Sequence, residues 1–488
     1  MFESLIRDGY LQGLGRAPGP LEWKGWTEGA NNPAQVVNGF FRSPEYKNLS
    51  SHLSNAAKIT TLYRVALKRE GDPLGKESWE NYLNATNDFD GVINGFIQSA
   101  EFQCRDFSEN GFNVYGVLPS AKVTMTGDEL QALLDTNIRV TLSNEVLVEL
   151  SKPLIIRTGE TLRSDATFYA SMPRLSRVNG FDDALVKVEG GAHLENIWVS
   201  GNRNSFVKTS NGENLLLEPG TGPFFSFEPE RSSSIVGCRL DTTNGFTNLL
   251  VSKENRASFG PEKSYILNNF ITGSESTYRN TELNYCDGIT NTGKSTVITG
   301  NTIVDTTDGG IVNFSYLNYI NNKGYLLANA SQVTQNRVIA LTNSSYGAII
   351  TDPYYVADHS KSGDPAHKAS QSFLGLLVSN NLVWTSSIAH YNVVLSVGTR
   401  LWFGDYGYTA SSGGTYLNNT SGEGTINCYF GEIISGALNA VVKNSFNYSP
   451  SMLKVALGMA KSSGYGSADL GGRSYVDQDF FSKLLEYN

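Results

Sequence analysis

The sequence predicts a mainly β chain, a right-handed parallel β-helix preceded by a small all-α duplicated domain. Three observations carry this expectation. A motif near the start occurs twice, as VVNGFFRSPEY over residues 36–46 and VINGFIQSAEF over residues 92–102. An aliphatic-Asn-aliphatic corner then recurs along most of the remaining chain. Finally, 49 Gly, 24 Tyr and 24 Phe against 17% charged residues describe a turn-rich, β-dominated body. At 488 residues the chain exceeds what one compact core supports, so more than one unit is expected.

The duplication comes first in the chain. One displacement places Ile6 on Ile59, Tyr10 on Tyr63, Leu14 on Leu67, Arg16 on Arg69, Pro20 on Pro73 and Trp26 on Trp79. A slightly longer one places Val36, Asn38, Gly39 and Phe40 on Val92, Asn94, Gly95 and Phe96. Within a copy, Ile59, Leu62, Tyr63, Ala66 and Leu67 fall at helical spacing, and the following Pro breaks that helix before a Trp-bearing second one. Two modules of three or four helices follow, over residues 1–55 and 56–108, with Trp26, Trp79 and the phenylalanines as core. LYRVALKREGDPLGKESW followed by VINGFIQSAEF resembles a helical domain family of unassigned function, found in bacterial exported proteins and phage tail proteins and similar to phycobilisome linker modules. The resemblance covers about residues 1–105. It implies a docking surface and carries over no catalytic residue.

Residues 109–140 read as a linker and capping helix, because Thr126 and Glu129 stand at capping-box spacing before an apolar stripe. Short β-branched runs separated by polar turns begin next. Over residues 141–448 the corner recurs as Ile266, Asn269, Ile271; Ile298, Asn301, Ile303; Val333, Asn336, Val338; and Val378, Asn381, Val383. Cys238 replaces Asn between Ile235 and Leu240, and a late copy has Val441, Asn444 and Phe446. The strand period points both aliphatics inward, and Asn is expected to supply the left-handed backbone of the corner. Stacked Asn side chains are expected to form amide ladders along the axis. The irregular spacing excludes a propeller and suits a coil of roughly ten turns. A β-sandwich would alternate more cleanly with polar residues. This part resembles the pectate-lyase-like β-helices of polysaccharide-degrading enzymes and bacteriophage tailspikes over about residues 120–450. Residues 449–488 leave the pattern, and an amphipathic helix over about Met452 to Lys461 with a second at the end reads as a cap or subunit-packing segment.

Chemistry is expected where Asp287-Gly288-Ile289 and Asp308-Gly309-Gly310-Ile311 share one phase on either side of the Asn301 corner. Stacking should make the two aspartates near neighbours, one protonated as general acid and the other charged, with Asp305 or Glu282 as base. Glycoside hydrolysis uses such a pair at about 5 to 5.5 Å for retention or 6.5 to 9.5 Å for inversion. The competing reading makes them turn residues that bond backbone amides. The loop DPYYVADHSKSGDPAHK, with Asp352, Tyr354, Tyr355, Asp358, His359, Asp364 and His367, offers a tyrosine or histidine base to a polysaccharide lyase. Tyr354 and Tyr355 are expected at the substrate, as are Trp384, Trp402 and Tyr406 from the late aromatic segments that also hold Tyr391, Phe403 and Tyr408. Core packing is the alternative for these rings. No metal spacing or cofactor motif occurs, and Cys104, Cys238, Cys286 and Cys428 read as buried free thiols.

A net charge of −9 without long runs disfavours nucleic acid. No run reaches the roughly 18 apolar residues of a membrane span. The start MFESLIRDGYLQG lacks the pattern of a secretory signal. Helical modules in front of a β-helix resemble a bacteriophage tailspike. The resemblance implies a homotrimer in the virion tail that binds, and often cleaves, host surface polysaccharide, either capsule or lipopolysaccharide. A virion tail or baseplate protein would be held through residues 1–105. Two alternatives stay open: a non-catalytic receptor-binding or structural spike, and a bacterial polysaccharide lyase or epimerase secreted without a cleaved signal peptide. The second is disfavoured by the lack of glycine- and aspartate-rich nonapeptides.

Overall fold

The computed structural model describes residues 2–103, 105, 123–178, 183–202, 217–219, 232–243, 247–251, 263–273, 286–293, 295–320, 323–327, 329–353, 371–398, 411–435, 437–438, 440–449 and 475–476. Each N-terminal copy has four helical segments. In the first, Glu3–Asp8 runs on into a π-helical turn, Gly9–Leu14, followed by Pro20–Gly29, Pro33–Phe41 and Pro44–Ser50. In the second they are Asn55–Ala66, Pro73–Thr86, Phe89–Gln98 and Ala100–Gln103. Proline opens four of these helices, where the missing amide needs no partner. Asn32, Ser43, Ser54, Asp72 and Asp88 cap helix starts with side-chain oxygens.

The copies repeat down to side chains. Tyr10 meets Phe40 edge-on at 4.9 Å and Tyr63 meets Phe96 at 4.7 Å. Trp26 and Trp79 lie over the same two phenylalanines. A Cβ on Gly39 or Gly95 would sit 2.2 Å from the Trp26 or Trp79 ring, so glycine is the residue that lets the ring close down. The motif therefore recurs because it builds one core twice.

Behind the modules the chain winds into three parallel ladders. The first runs from Val123–Thr126 through Thr302–Val304 to Leu382–Thr385. The second runs from Arg139–Leu142 through Ser264–Leu267 and Val441–Ser445 to Tyr475–Val476. The third runs from Leu154–Ile156 through Asp287–Asn291 to Cys428–Ser435. This is a parallel β-helix. Ile235, Ile266, Ile298, Val333, Val378, Tyr416 and Val442 stand in register along one interior column. Leu249, Ile289, Ile311, Ile349 and Leu395 form another. The expected capping helix, Gly127–Thr136, closes the first end, with Leu130 and Leu134 in the core and Thr126 and Glu129 capping reciprocally. The preceding strand, Val123–Thr126, already pairs with Leu147–Leu150, so the coil starts before that helix. Cys238, Cys286 and Cys428 are buried thiols. The stretches expected to form C-terminal helices lie outside the described residues.

The asparagine ladder forms, with one correction to its geometry. Each carboxamide oxygen accepts both the backbone N–H and the Nδ2 of the asparagine one coil earlier. This links Asn269 to Asn301, Asn301 to Asn336, Asn336 to Asn381, Asn381 to Asn419 and Asn419 to Asn444 at 2.7 to 3.1 Å. The left-handed residue is the one before the ladder asparagine: Asn268, Gly300, Gln335, Asn380 and Asn418, with φ between 55° and 71°. The kink falls there because the ladder side chain must point into the coil, and the preceding residue turns outward. Cys238 begins the ladder through its N–H to Asn269 Oδ1 at 2.9 Å. Asn419 belongs to the ladder although no aliphatic-Asn-aliphatic signature marks it.

The helical modules lie flat against the outer face of the first ladder. Val304, Ile339, Leu341 and Trp384 join the core of the modules, not the interior of the coil. Covered on both sides, strand Arg239–Asp241 is buried throughout, whereas Ser233–Val236 in the second ladder alternates. Polar clasps run along the contact. Arg7 Nε meets Asp305 Oδ2 at 2.5 Å, Arg239 donates to Leu11 O at 3.0 Å and Gln12 Oε1 at 3.2 Å, and Ser54 donates to Glu145 at 2.7 Å. Glu70 joins Arg64 to Arg174. Burial pushes the Glu70 carboxyl up, but the two guanidinium groups outweigh it and hold it down at about 2.

Candidate functional site

The aspartate corner is built by the turn between the first and third ladders. Strand register sets Ile289 beside Ile311, which puts Asp287 beside Gly309 and not beside Asp308. The matched phase expected for the two aspartates is therefore off by one residue. A Cβ at Gly309 would lie 3.0 Å from Asp287 Oδ1, so glycine makes room for that carboxylate. Asp287 is 7% exposed, and it accepts from Gly309 N at 2.8 Å and Thr290 Oγ1 at 2.7 Å. Both oxygens are engaged in closing the corner. Asp308 is partly exposed, and its backbone is tied into the stack through Cys286 O at 3.2 Å and Gly347 N at 3.2 Å.

Asp305 faces away from this corner. It is fully buried with φ 57°, and its carboxylate accepts from Leu341 N, Thr342 N, Asn343 N, Thr342 Oγ1 and the Arg7 guanidinium. Four of those donors tie Asp305 to the next coil, Arg7 fastens the helical modules to it, and together they leave no lone pair for a substrate proton. Glu282, Tyr354, Tyr355, Trp402 and Tyr406 lie outside the described residues. Trp384, expected at a sugar, is 2% exposed and packs in the core shared with the modules, so neither ring face is open. Tyr391 is likewise buried, in the coil interior.

The open chemistry lies on the same corner, further along the axis. Gly309, Gly347, Val393 and Phe430 are in register on successive coils. The residue before each is Asp308, Tyr346, Asn392 and Tyr429. The first three are partly exposed, and Tyr429 is 42% exposed. At about 4.8 Å per coil this stripe spans roughly 14 Å from carboxylate to phenol. His390 flanks it, with its ring edge-on to Tyr429 at 4.8 Å and Nδ1 at 2.7 Å from Ser344 Oγ. Phe430 and Ile388 add exposed apolar surface at the same end. Aromatic faces beside amide, imidazole and carboxylate groups suit stacking on sugar rings with hydrogen bonds to hydroxyls. Sequence reading missed Tyr346, His390, Asn392 and Tyr429 as a set, because four positions spread over about 80 residues become one stripe only when the coil register is known. Among the described residues no helix is long and apolar enough to cross a membrane, and no cluster of His, Cys, Asp and Glu can hold a metal.

Residues 37–105 match the family model of a domain of unknown function (DUF4214). The match spans the end of the first helical copy and most of the second. A comparison with curated proteins found no match. Two solved structures of PfbA, a surface adhesin of Streptococcus pneumoniae, are similar at 11% and 8% identity, with TM-scores of 0.35 and 0.36. Each alignment covers 67% of this chain, and 88% and 94% of the other. The A-module of the Azotobacter vinelandii mannuronan C-5 epimerase AlgE4 is similar at 12% identity and a TM-score of 0.24, over 72% of this chain and 100% of that one.

Proposed function

We propose that this chain is a polysaccharide-recognising spike whose β-helix binds an extended glycan along the Asp308, Tyr346, Asn392 and Tyr429 stripe. The observation that carries the reading is that stripe: partly open polar and aromatic side chains, one per coil, on the corner flanking the ladder that the helical modules cover. A linear polymer lying along the axis meets one such group per coil. The resemblance to tailspikes makes capsule or lipopolysaccharide the ligand class. The same resemblance makes the outer surface of residues 1–105 the side that meets a virion tail or baseplate protein, and a homotrimer the assembly. Recognition without cleavage fits this corner better than hydrolysis, since Asp287 is occupied in closing the turn and Asp305 in holding the modules.

The test is retention of the pure protein on capsule and lipopolysaccharide, with reducing ends and absorbance near 235 nm followed together. Binding without either signal is expected, and Tyr429→Ala and Tyr346→Ala should each weaken it roughly tenfold, the worth of one stacked ring. Reducing ends lost in Asp308→Asn would make the protein a hydrolase instead. Unchanged binding in both tyrosine variants would remove the stripe from the reading.

A further inference from the structure

We propose that Glu432 is a proton-controlled latch beneath the exposed end of the stripe, a regulation of that site which rests on the glycan reading above. Strand Cys428–Ser435 is the last of the third ladder among the described residues. Tyr429 and Phe430 are exposed, whereas Glu432 is 2% exposed. Glu432 is in register with Leu395, which follows Ile349 and Ile311, so a carboxyl stands where earlier coils hold an aliphatic side chain.

The interior around it is defined by every element packed there. Asn444, from strand Val441–Ser445, donates Nδ2 to Glu432 Oε1 at 2.5 Å, and Asn444 is the last member of the asparagine ladder among the described residues. A chain of amide hydrogen bonds beginning at Cys238 thus ends on this carboxyl. Tyr448 is the other titratable group beside it, with the Cys428 thiol on the far side of that ring, and Leu395 lies one coil before. Lys443, next to Asn444, is exposed on the outer side of its strand. Burial pushes the Glu432 carboxyl up to about 7, and the Asn444 bond opposes that only in part. The neutral acid suits an apolar interior with one amide donor. When it loses its proton to solvent, a buried carboxylate is left with too few donors and favours parting of Cys428–Ser435 from Val441–Ser445, the strands of two ladders that the Asn444 bond links. The strand that opens is the one that presents Tyr429 and Phe430.

The experiment compares the full chain with Glu432→Gln by amide hydrogen exchange in Cys428–Ser435 and Val441–Ser445, corrected for intrinsic rates, between about pH 5 and 8. One linked proton lets wild-type protection fall by up to roughly tenfold per pH unit as pH rises toward the folded value of about 7, and level off above it. Protection in Glu432→Gln is expected to stay level. A flat wild-type profile, or a Glu432→Gln profile that follows wild type, would overturn the latch. Capsule binding over the same range forms the second arm. Affinity should fall with wild-type protection and stay level in Glu432→Gln, while His390→Gln keeps the wild-type slope. Constant wild-type affinity despite changing protection would break the coupling to the stripe. No binding to any polysaccharide would defeat the glycan reading, and the exchange profiles would still decide the latch.

Discussion

Asn301 accepts two hydrogen bonds from Asn269 and gives its own to Asn336 Oδ1 and the Ile266 carbonyl, all in a site without solvent exposure. Asn301→Ala removes the acceptor of two buried donors, and about 2 to 4 kcal/mol of stability should be lost in urea unfolding. Asp287→Asn tests the corner differently. It keeps one acceptor oxygen but turns an NH2 toward either Gly309 N or Thr290, and should cost about 1 to 2 kcal/mol while leaving glycan affinity unchanged. In the modules, Gly95→Ala pushes a methyl into the Trp79 ring and should destabilise by roughly 1 to 3 kcal/mol, read from the thermal midpoint. At this scale the residue types were legible in the sequence. Their partners were not: Asp305 reads as a site residue until Arg7, 298 residues away, is found on it.

At the scale of elements, strand Cys428–Ser435 makes stability depend on pH. The Glu432 carboxyl is raised in the folded chain from 4.5 to about 7. The sign follows: its contribution is fully present below the unfolded value, and is lost as pH rises through about 7. The span corresponds to about 3 kcal/mol at most. Glu432→Gln should therefore flatten the urea midpoint between about pH 5 and 8, where wild type declines. A decline of equal size in both proteins would place the titrating group elsewhere. The strands themselves were legible as aliphatic runs with a corner asparagine. Which neighbours they stack on depends on insertions between coils, and those set the one-residue offset that parts Asp287 from Asp308.

For the whole molecule, the helical modules and the coil share one buried interface sealed by Trp384, Ile339 and Val304 and pinned by Arg7 on Asp305. Arg7→Ala leaves a buried carboxylate without its cation and should cost about 3 to 5 kcal/mol. Tryptophan fluorescence and far-ultraviolet circular dichroism should show modules and coil unfolding together in wild type. Separate transitions in the unaltered chain would mean that the interface does not couple them. The sequence by itself determined the duplicated helical unit, the parallel coil and the ladder of corner asparagines, because each rests on a local period that repeats. Only the tertiary structure decided which side of the coil is covered, that Trp384 and Asp305 belong to that cover, and that Asp308, Tyr346, Asn392 and Tyr429 form one stripe. Those facts depend on register and on contacts between distant segments, and a one-residue slip in register changes what every side chain faces.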